Sequence, residues 1–320
     1  MLLTLTAACA VTGASAASDQ GWFVALDLAL AQPRFEQDYA QQIDSTVSPV
    51  QSIRHVLDGD TDLAYRFGFG YGFGPERGDL RVTYWSFDGS DGADRSMNGF
   101  VDPLVFGEGY YGPYYDLYDA GGVGTDASTE VKAVTVDLDY SRAVMQGRRF
   151  RLSWLAGLRY AGYEETRELE ADDAIITIEQ EKVIDSNALG LRAGAEAEYD
   201  FGRAFSLTGK VAISLLQSKT DATAGQEIFD SAGGGLLVAE TSTIASEDRN
   251  GLILDLGVIG VWRLRQADVL FGLEYSQWSG LVEDPIPAEG AGSRDAVSFT
   301  SVTLGMRYWF EDRARSAAGP

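Results

Sequence analysis

The chain contains one histidine, His55, in the stretch IRHVLDGD (53–60), where Asp58 and Asp60 follow it closely. A histidine oriented by a carboxylate is a general base, which is what a hydrolase requires. The sequence offers no nucleophile in a G-x-S-x-G context to accompany it. A lone histidine in a polar stretch is more often exposed and without a catalytic role. We therefore predict no catalytic residue and no enzyme, with a hydrolase that uses His55 as the weaker alternative.

Two further stretches have residue types that bind ligands in other proteins. The acidic run DGSDGAD (88–94) resembles the start of a calcium-binding loop, but position 99 is glycine where an EF-hand has glutamate. The glycines of GFGYGFG (68–74) are followed by Pro75 and a charged turn, whereas a phosphate-binding loop leads into a helix. Cys9 is the only cysteine. We therefore predict no metal site and no cofactor, and the acidic stretches are expected to be solvated.

The first residues, MLLTLTAACAVTGASA, form a short apolar run that ends in the A-x-A pattern of Ala14-Ser15-Ala16. This pattern is typical of a secretory signal peptide, so we predict that residues 1–16 are removed after export. A buried strand or helix, or a lipid anchor at Cys9, are the alternatives. The remaining chain is predicted to contain one domain over residues 17–310 and a short polar tail over 311–320.

The elements that position these residues are strands. In LAYRFGFGYGF (63–73), every odd position is bulky and apolar, while glycine occupies most positions between. About ten segments alternate in this way over roughly 11–16 residues, which is longer than the ~5–6 residues of a soluble strand and sufficient for a tilted membrane strand of ~9–11. The segments lie near residues 20–32, 63–73, 78–87, 131–143, 149–162, 187–200, 203–216, 251–264, 267–277 and 297–310.

The connections between these segments alternate in length. Tight turns fall at GPERGD, MQGRR, DFGR and RQAD, and long polar stretches lie near residues 33–61, 88–130, 163–186, 217–250 and 278–296. Short periplasmic turns and long extracellular loops are typical of an up-and-down transmembrane barrel. We therefore predict an all-β fold, an antiparallel barrel of about ten strands, in which the apolar face contacts lipid and the glycines face the lumen.

One stretch leaves the strand number open. The sequence AIITIEQEKVI (174–184) also alternates, although it lies within a predicted long loop. It is predicted to form either an extra hairpin strand above the membrane or part of a barrel with twelve strands. A soluble antiparallel sheet around an aromatic core is the alternative to a barrel of either size.

The charged residues are distributed unevenly between the strands and the loops. The net charge is −23, and the five long stretches together carry at least that much, which leaves the strands and tight turns close to neutral. On the strands, charges of both signs share the phase opposite to the apolar face, which predicts that they face a wet lumen rather than lipid. The lumen-facing candidates are Asp27, Arg66, Arg81, Asp137, Asp139, Arg151, Arg159, Arg192, Glu196, Lys210, Asp255, Arg263, Glu274 and Arg307.

Two stretches resemble a known family. The hairpin VTVDLDYSRAVMQGRRFRLSWLAGLRYAGY (134–163), with its Gly157-Leu158-Arg159-Tyr160, and the ending SVTLGMRYWF (301–310) are similar to the Legionella-type major outer membrane proteins, which form pores. The resemblance implies a barrel in the bacterial outer membrane with porin-like activity and no catalytic motif. It also implies that Phe310 is the terminal aromatic signal read by the barrel assembly machinery, although EDRARSAAGP follows it.

These observations lead to an expected function and to alternatives. We expect a passive, weakly selective channel for small solutes or ions, whose partners are outer-membrane lipid, lipopolysaccharide and the barrel assembly machinery, with no nucleic acid. The aromatic stretch within 88–130 is expected to lie at the surface or to fold inward as a constriction. A non-conducting structural or adhesion barrel with acidic surface loops remains the alternative to a channel.

Overall fold

The computed structural model describes the chain in eleven ranges. They are residues 20–34, 37–44, 51–57, 59–74, 77–103, 117–172, 175–202, 204–230, 235–264, 266–282 and 296–310. The predicted signal peptide, the polar tail and the aromatic centre of the 88–130 stretch lie outside these ranges.

Twelve strands make up the secondary structure of the described residues. They are β1 (Gln20–Arg34), β2 (Gln37–Asp44), β3 (Gln51–Leu57), β4 (Asp62–Phe73), β5 (Asp79–Pro103), β6 (Leu117–Gln146), β7 (Phe150–Asp172), β8 (Ile176–Asp200), β9 (Phe205–Asp230), β10 (Leu236–Arg263), β11 (Ala267–Ser279) and β12 (Ala296–Trp309). No helix among the described residues is long and apolar enough to cross a membrane.

Ten of the strands close into an antiparallel barrel. Each strand pairs with its neighbour in the chain, β1 pairs with β12, and the β5–β6 pairing completes the circle. The β2–β3 hairpin lies outside this circle, where β2 pairs with the upper end of β5. The predicted ten-stranded up-and-down barrel is therefore confirmed, and the two additional strands belong to the connection between β1 and β4.

Alternation along each strand separates a lipid face from the interior. On β1, Leu26, Leu28 and Leu30 are at least half exposed, while Asp27 and Ala29 between them are buried. The same holds around the barrel, where large apolar side chains form an exposed belt and polar or small ones point inward. This inversion of the usual soluble pattern is what a barrel surrounded by lipid requires.

Six strands extend well beyond this belt. Strands β5 to β10 span 23–30 residues, whereas β1, β4, β11 and β12 span 12–15. The stretches near 163–186 and 217–250, which the sequence predicted as loops, are therefore mostly strand, as is much of 88–130. Residues 176–184 open β8, so the AIITIEQEKVI stretch is neither an extra hairpin strand nor part of a twelve-stranded barrel.

Candidate functional site in the barrel lumen

The barrel interior contains the charged residues predicted to face the lumen. Thirteen of the fourteen are at most 9% exposed although the strands on which they lie carry an apolar outer face. The fourteenth, Arg263, lies at the turn end of β10 with 24% of its side chain exposed. Most of the thirteen form one band across the barrel, which we call the charged layer.

The centre of the charged layer is a cluster of two guanidinium groups and two carboxylates. Arg159 Nε and Nη2 donate to the two oxygens of Asp137 at 2.6 and 2.7 Å, and Arg159 Nη1 lies 2.8 Å from Asp255 Oδ2. Arg192 Nη1 lies 2.9 Å from both Asp137 Oδ2 and Asp255 Oδ2. These four residues come from β6, β7, β8 and β10, so the cluster bridges one half of the wall.

Two further groups belong to the charged layer, together with the buried Asp139 and Arg307. On one side Arg66 donates to both oxygens of Glu274 at 3.0 and 2.5 Å and reaches Asp27 at 3.4 Å. On the other, Lys210 Nζ lies 3.1 Å from Glu196 Oε1, which Arg81 also approaches. The layer holds six carboxylates and six cations and is formally neutral. Its members are Asp27, Asp137, Asp139, Glu196, Asp255, Glu274, Arg66, Arg81, Arg159, Arg192, Lys210 and Arg307.

Glycines on the inner face leave room for these side chains. A Cβ on Gly305, directly opposite Asp27, would lie 1.9 Å from the Asp27 carboxylate. A Cβ on Gly70 would lie 2.5 Å from the ring of Phe23, which packs on Trp309 near the periplasmic turns. Gly70 on β4 and Gly305 on β12 therefore give space to large side chains from a neighbouring strand rather than to an open channel.

The periplasmic end of the lumen contains a smaller ion-pair group. Arg263 pairs with Glu198 and lies 2.7 Å from Asp200, and Arg151 lies 3.9 Å from Glu198. Ser206 donates to the same Glu198 carboxylate at 2.9 Å. Arg151 and Arg263, two of the candidates for the lumen, lie at the level of the short turns.

An apolar layer lies above the charged layer, toward the extended strands. Its aromatic members are Trp85, Phe87, Tyr163, Trp278 and Phe299. The Phe299 ring is 5.4–5.5 Å from the rings of Phe87, Trp85 and Trp278, and the last of these also contacts Tyr163 at 6.5 Å. Small side chains such as Ala133, Ala161 and Ala188 line the wall at this level. The rings of β5, β11 and β12 thus meet in the middle of the barrel.

The chain that leaves β11 contributes to this apolar layer. Gly280 has a φ of 71°, a left-handed conformation that glycine favours, and the next two residues, Leu281 and Val282, are fully buried. Leu281 packs against the backbone of Gly251, where an added Cβ would lie 2.6 Å from Leu281 Cδ2. The beginning of the β11–β12 connection therefore turns into the barrel and occupies its interior.

A cavity of about 30 Å³ separates the two layers. Carboxylate and guanidinium groups of Asp137, Arg159 and Glu274 lie on one side and the Trp278 and Phe299 rings on the other. Its volume is sufficient for about two water molecules. The Thr83 hydroxyl, which lines the cavity, has no hydrogen-bond partner among the described residues, so the cavity is suited to bind water.

Sequence reasoning missed the apolar layer and a buried polar group above it. In that group Tyr163 and Arg167 both donate to the Glu165 carboxylate, at 2.5 and 2.7 Å. The signal was present, since Trp85 and Phe87 continue the inward phase of Arg81, and Trp278 continues that of Glu274. Large aromatic residues at inward-facing positions, near the extracellular end of a membrane segment, therefore indicate that the barrel interior is filled.

The outer face of the extended strands is acidic. Asp126, Glu170, Glu179 and Glu227 lie directly opposite one another on β6, β7, β8 and β9, so four carboxylates form a row across the sheet. A parallel row closer to the membrane contains Glu164, Asp185 and Asp221. Partial burial and these two neighbouring carboxylates raise the pKa of Asp185, which lies beyond the apolar belt of β8.

The remaining candidates from the sequence, His55 and Phe310, lie outside the barrel lumen or at its periplasmic end. His55 lies on β3, and its side chain is outside the described part of the structure, as is Asp58. Phe310 is exposed at the periplasmic end, and its amide donates to the Trp22 carbonyl at 3.0 Å, which extends the β1–β12 pairing. Within the described ranges, no three His, Cys, Asp or Glu side chains are grouped to hold a metal ion.

Residues 16–250 match the family model described as Legionella pneumophila major outer membrane protein precursor. No curated protein matches the chain. Among solved structures, the outer membrane protease OmpT from Escherichia coli is 12% identical with a TM-score of 0.48, covering 93% of this chain and 99% of its own. The toluene transporter TodX of Pseudomonas putida is 6% identical with a TM-score of 0.31, covering 90% and 89%.

Proposed function

Because the chain belongs to the Legionella major outer membrane protein family and lies in the bacterial outer membrane as a ten-stranded barrel, we propose that it is a pore-forming protein. Its solutes are small ions and small polar molecules, and it acts without a catalytic step. The observation that carries the proposal is the charged layer, which places twelve ionisable side chains inside the lipid-exposed belt. Such groups are costly in an apolar interior and are suited to line a path for water and ions.

The composition of the charged layer argues for weak selectivity. Six carboxylates balance six cations, so neither sign of ion meets a uniform ring of opposite charge. The ion pairs also cross the lumen, as between Arg66 on β4 and Glu274 on β11, so permeation requires these side chains to separate. We therefore propose a channel of low conductance that opens when the lumen side chains rearrange. Lipid, lipopolysaccharide and the barrel assembly machinery are its proposed partners.

The test is single-channel recording of the refolded mature chain, residues 17–320, in planar lipid bilayers. Discrete current steps are expected in both low and high salt. Heat-dependent migration of the unboiled protein on a denaturing gel establishes that the barrel is folded, and co-flotation with liposomes establishes insertion. A complete lack of steps from folded, inserted protein and from the variants described below would contradict the proposed pore.

A second function is favoured by the apolar layer. Rings from β5, β11 and β12 fill the barrel at one level, together with Leu281 and Val282. This packing favours a non-conducting barrel with a structural or adhesive role. The same recordings distinguish the two functions, since a structural barrel remains silent even when the packing of the apolar layer is disrupted.

A further inference from the structure

We infer that the apolar layer, rather than the charged layer, is the barrier to permeation. Leu281, which packs against the backbone of Gly251, is the part of this layer that moves when the pore opens. This inference deepens the proposed function and rests on it. It assigns the block to the start of the β11–β12 connection, in place of the inward-folded 88–130 stretch that the sequence allowed.

The charged layer has the character of a hydrated region. Beside its ion pairs, the buried polar atoms Thr83 Oγ1, Ser214 Oγ and Arg192 Nη2 have no hydrogen-bond partner among the described residues. Buried groups of this kind bind water, and the cavity that Thr83 lines has room for it. Water next to paired charges lowers the free energy needed to separate them. Ions therefore pass the charged layer more readily than they would if its ion pairs were dry.

The apolar layer has almost no polar group that could replace the water molecules bound to an ion. Trp278 and Phe299 are at most 2% exposed, and alanine and valine side chains surround them. The indole N–H of Trp278 already donates to Ser276 Oγ at 2.8 Å, and that hydroxyl donates to Asp255 at 2.9 Å. The one strong donor of the ring is therefore directed toward the charged layer. An ion that entered the apolar layer would lose its water without compensation.

Leu281 and Val282 are the members of the apolar layer that lie outside the paired strands. Trp278 and Phe299 lie on paired strands, with Trp278 opposite Ile253 and Phe299 opposite Pro33. Leu281 lies beyond the last paired residue of β11 and is positioned by the Gly280 turn and by its contact with Gly251. Because Gly251 has no side chain, it provides the recess that Leu281 occupies. Filling that recess displaces Leu281 without removing any atom of the aromatic cluster.

Two variants test the inference by different routes. Gly251→Val places its Cβ within 2.6 Å of Leu281 Cδ2 and expels the leucine, while Trp278→Ala removes the largest ring of the layer. Each variant is expected to raise the open probability in single-channel recordings by about tenfold or more, because lost packing shifts a closed–open equilibrium toward the open state. Gly209→Val is the control for adding a valine to a strand outside the layer, since Gly209 lies in the outward phase of β9 and a Cβ there has its nearest neighbour at 4.0 Å, so it should record as wild type.

The possible outcomes separate the inference from the proposed function. Increased opening in both layer variants, with Gly209→Val unchanged, supports the inference. If wild-type protein conducts and both folded layer variants conduct identically to it, the apolar layer is not the barrier and the inference fails while the pore remains. If the wild type and every folded, inserted variant are silent, the pore itself is disproved. Heat-dependent gel migration is measured for each variant, and if one fails to fold, the other decides the result.

Discussion

Asp137 connects two arginines of the charged layer through one carboxylate. Its carboxylate accepts hydrogen bonds from Arg159 and Arg192, which come from two neighbouring strands, and both guanidinium groups are at most 2% exposed. A buried charge that loses its partner is strongly destabilising because the remaining charge is left uncompensated. The stability of the barrel therefore depends on this carboxylate more than on any exposed pair.

Asp137→Asn is expected to lower the free energy of unfolding by about 3 kcal/mol, because Arg159 and Arg192 then share fewer negative charges. The measurement is urea unfolding of the protein in lipid vesicles, followed by tryptophan fluorescence. Asp221→Asn is the control, since Asp221 pairs with Lys219 at 2.8 Å on the exposed outer face and should change stability little. Equal effects of the two substitutions would show that the charged layer is not a stabilising network.

In the extended strands, the face that carries the apolar residues changes at the edge of the membrane. Within the membrane β9 turns Val211, Ile213 and Leu215 outward, but above it Ala222, Ala224 and Ile228 of the same strand point inward. The strand continues without a break while its polarity inverts, because lipid is replaced by water outside and by a packed interior inside.

This inversion determines what could be predicted from the sequence. The ten membrane segments follow from their apolar outer face, and each of them coincides with a barrel strand. The sequence predicts loops in place of the extensions because the apolar residues move to the inward face beyond the membrane. Ile178 and Ile184 of β8 are examples. Which lumen charges meet across the barrel depends on closure and register, and Arg66 and Glu274 are 208 residues apart, so no local pattern encodes their contact.

The acidic row on the extended strands should weaken them. Glu179 lies between Glu170 and Glu227, and like charges directly opposite one another on a sheet repel. Glu179→Gln is therefore expected to raise the free energy of unfolding by up to about 1 kcal/mol at low ionic strength. The gain should largely vanish at ~1 M salt, where screening acts over about 3 Å.

Glu130→Gln provides the comparison for this substitution. Glu130 lies on the same outer face but opposite Ser90 and Thr166, and it forms an ion pair with Lys132 at 2.8 Å. It should give no stabilisation in urea titrations at either salt concentration. A salt-independent effect of Glu179→Gln, or an equal gain from Glu130→Gln, would rule out repulsion along the row.

For the whole molecule, charge is separated by region. The charged layer is neutral, whereas the net charge of −23 derives from the five long stretches of sequence between the membrane segments. The mouth of the proposed pore should therefore concentrate cations, and this effect should weaken as salt screens the field. In bilayers with a tenfold KCl gradient, the reversal potential is expected to indicate cation preference at low mean salt and to approach zero at high salt. A preference that does not change with salt would place the selectivity inside the barrel instead.

The described barrel strands end at unequal heights. The 28 residues of β10 stand beside the 13 of β11, and with ~3.4 Å per residue and a tilt of ~40° the difference in height is about 40 Å. Strands β5 to β10 form a curved screen on one side, while β11, β12, β1 and β4 end lower in the part of the chain that the structure describes. Large particles arriving from outside, such as antibodies or phage tails, would meet the tips of this screen before they reached the membrane surface.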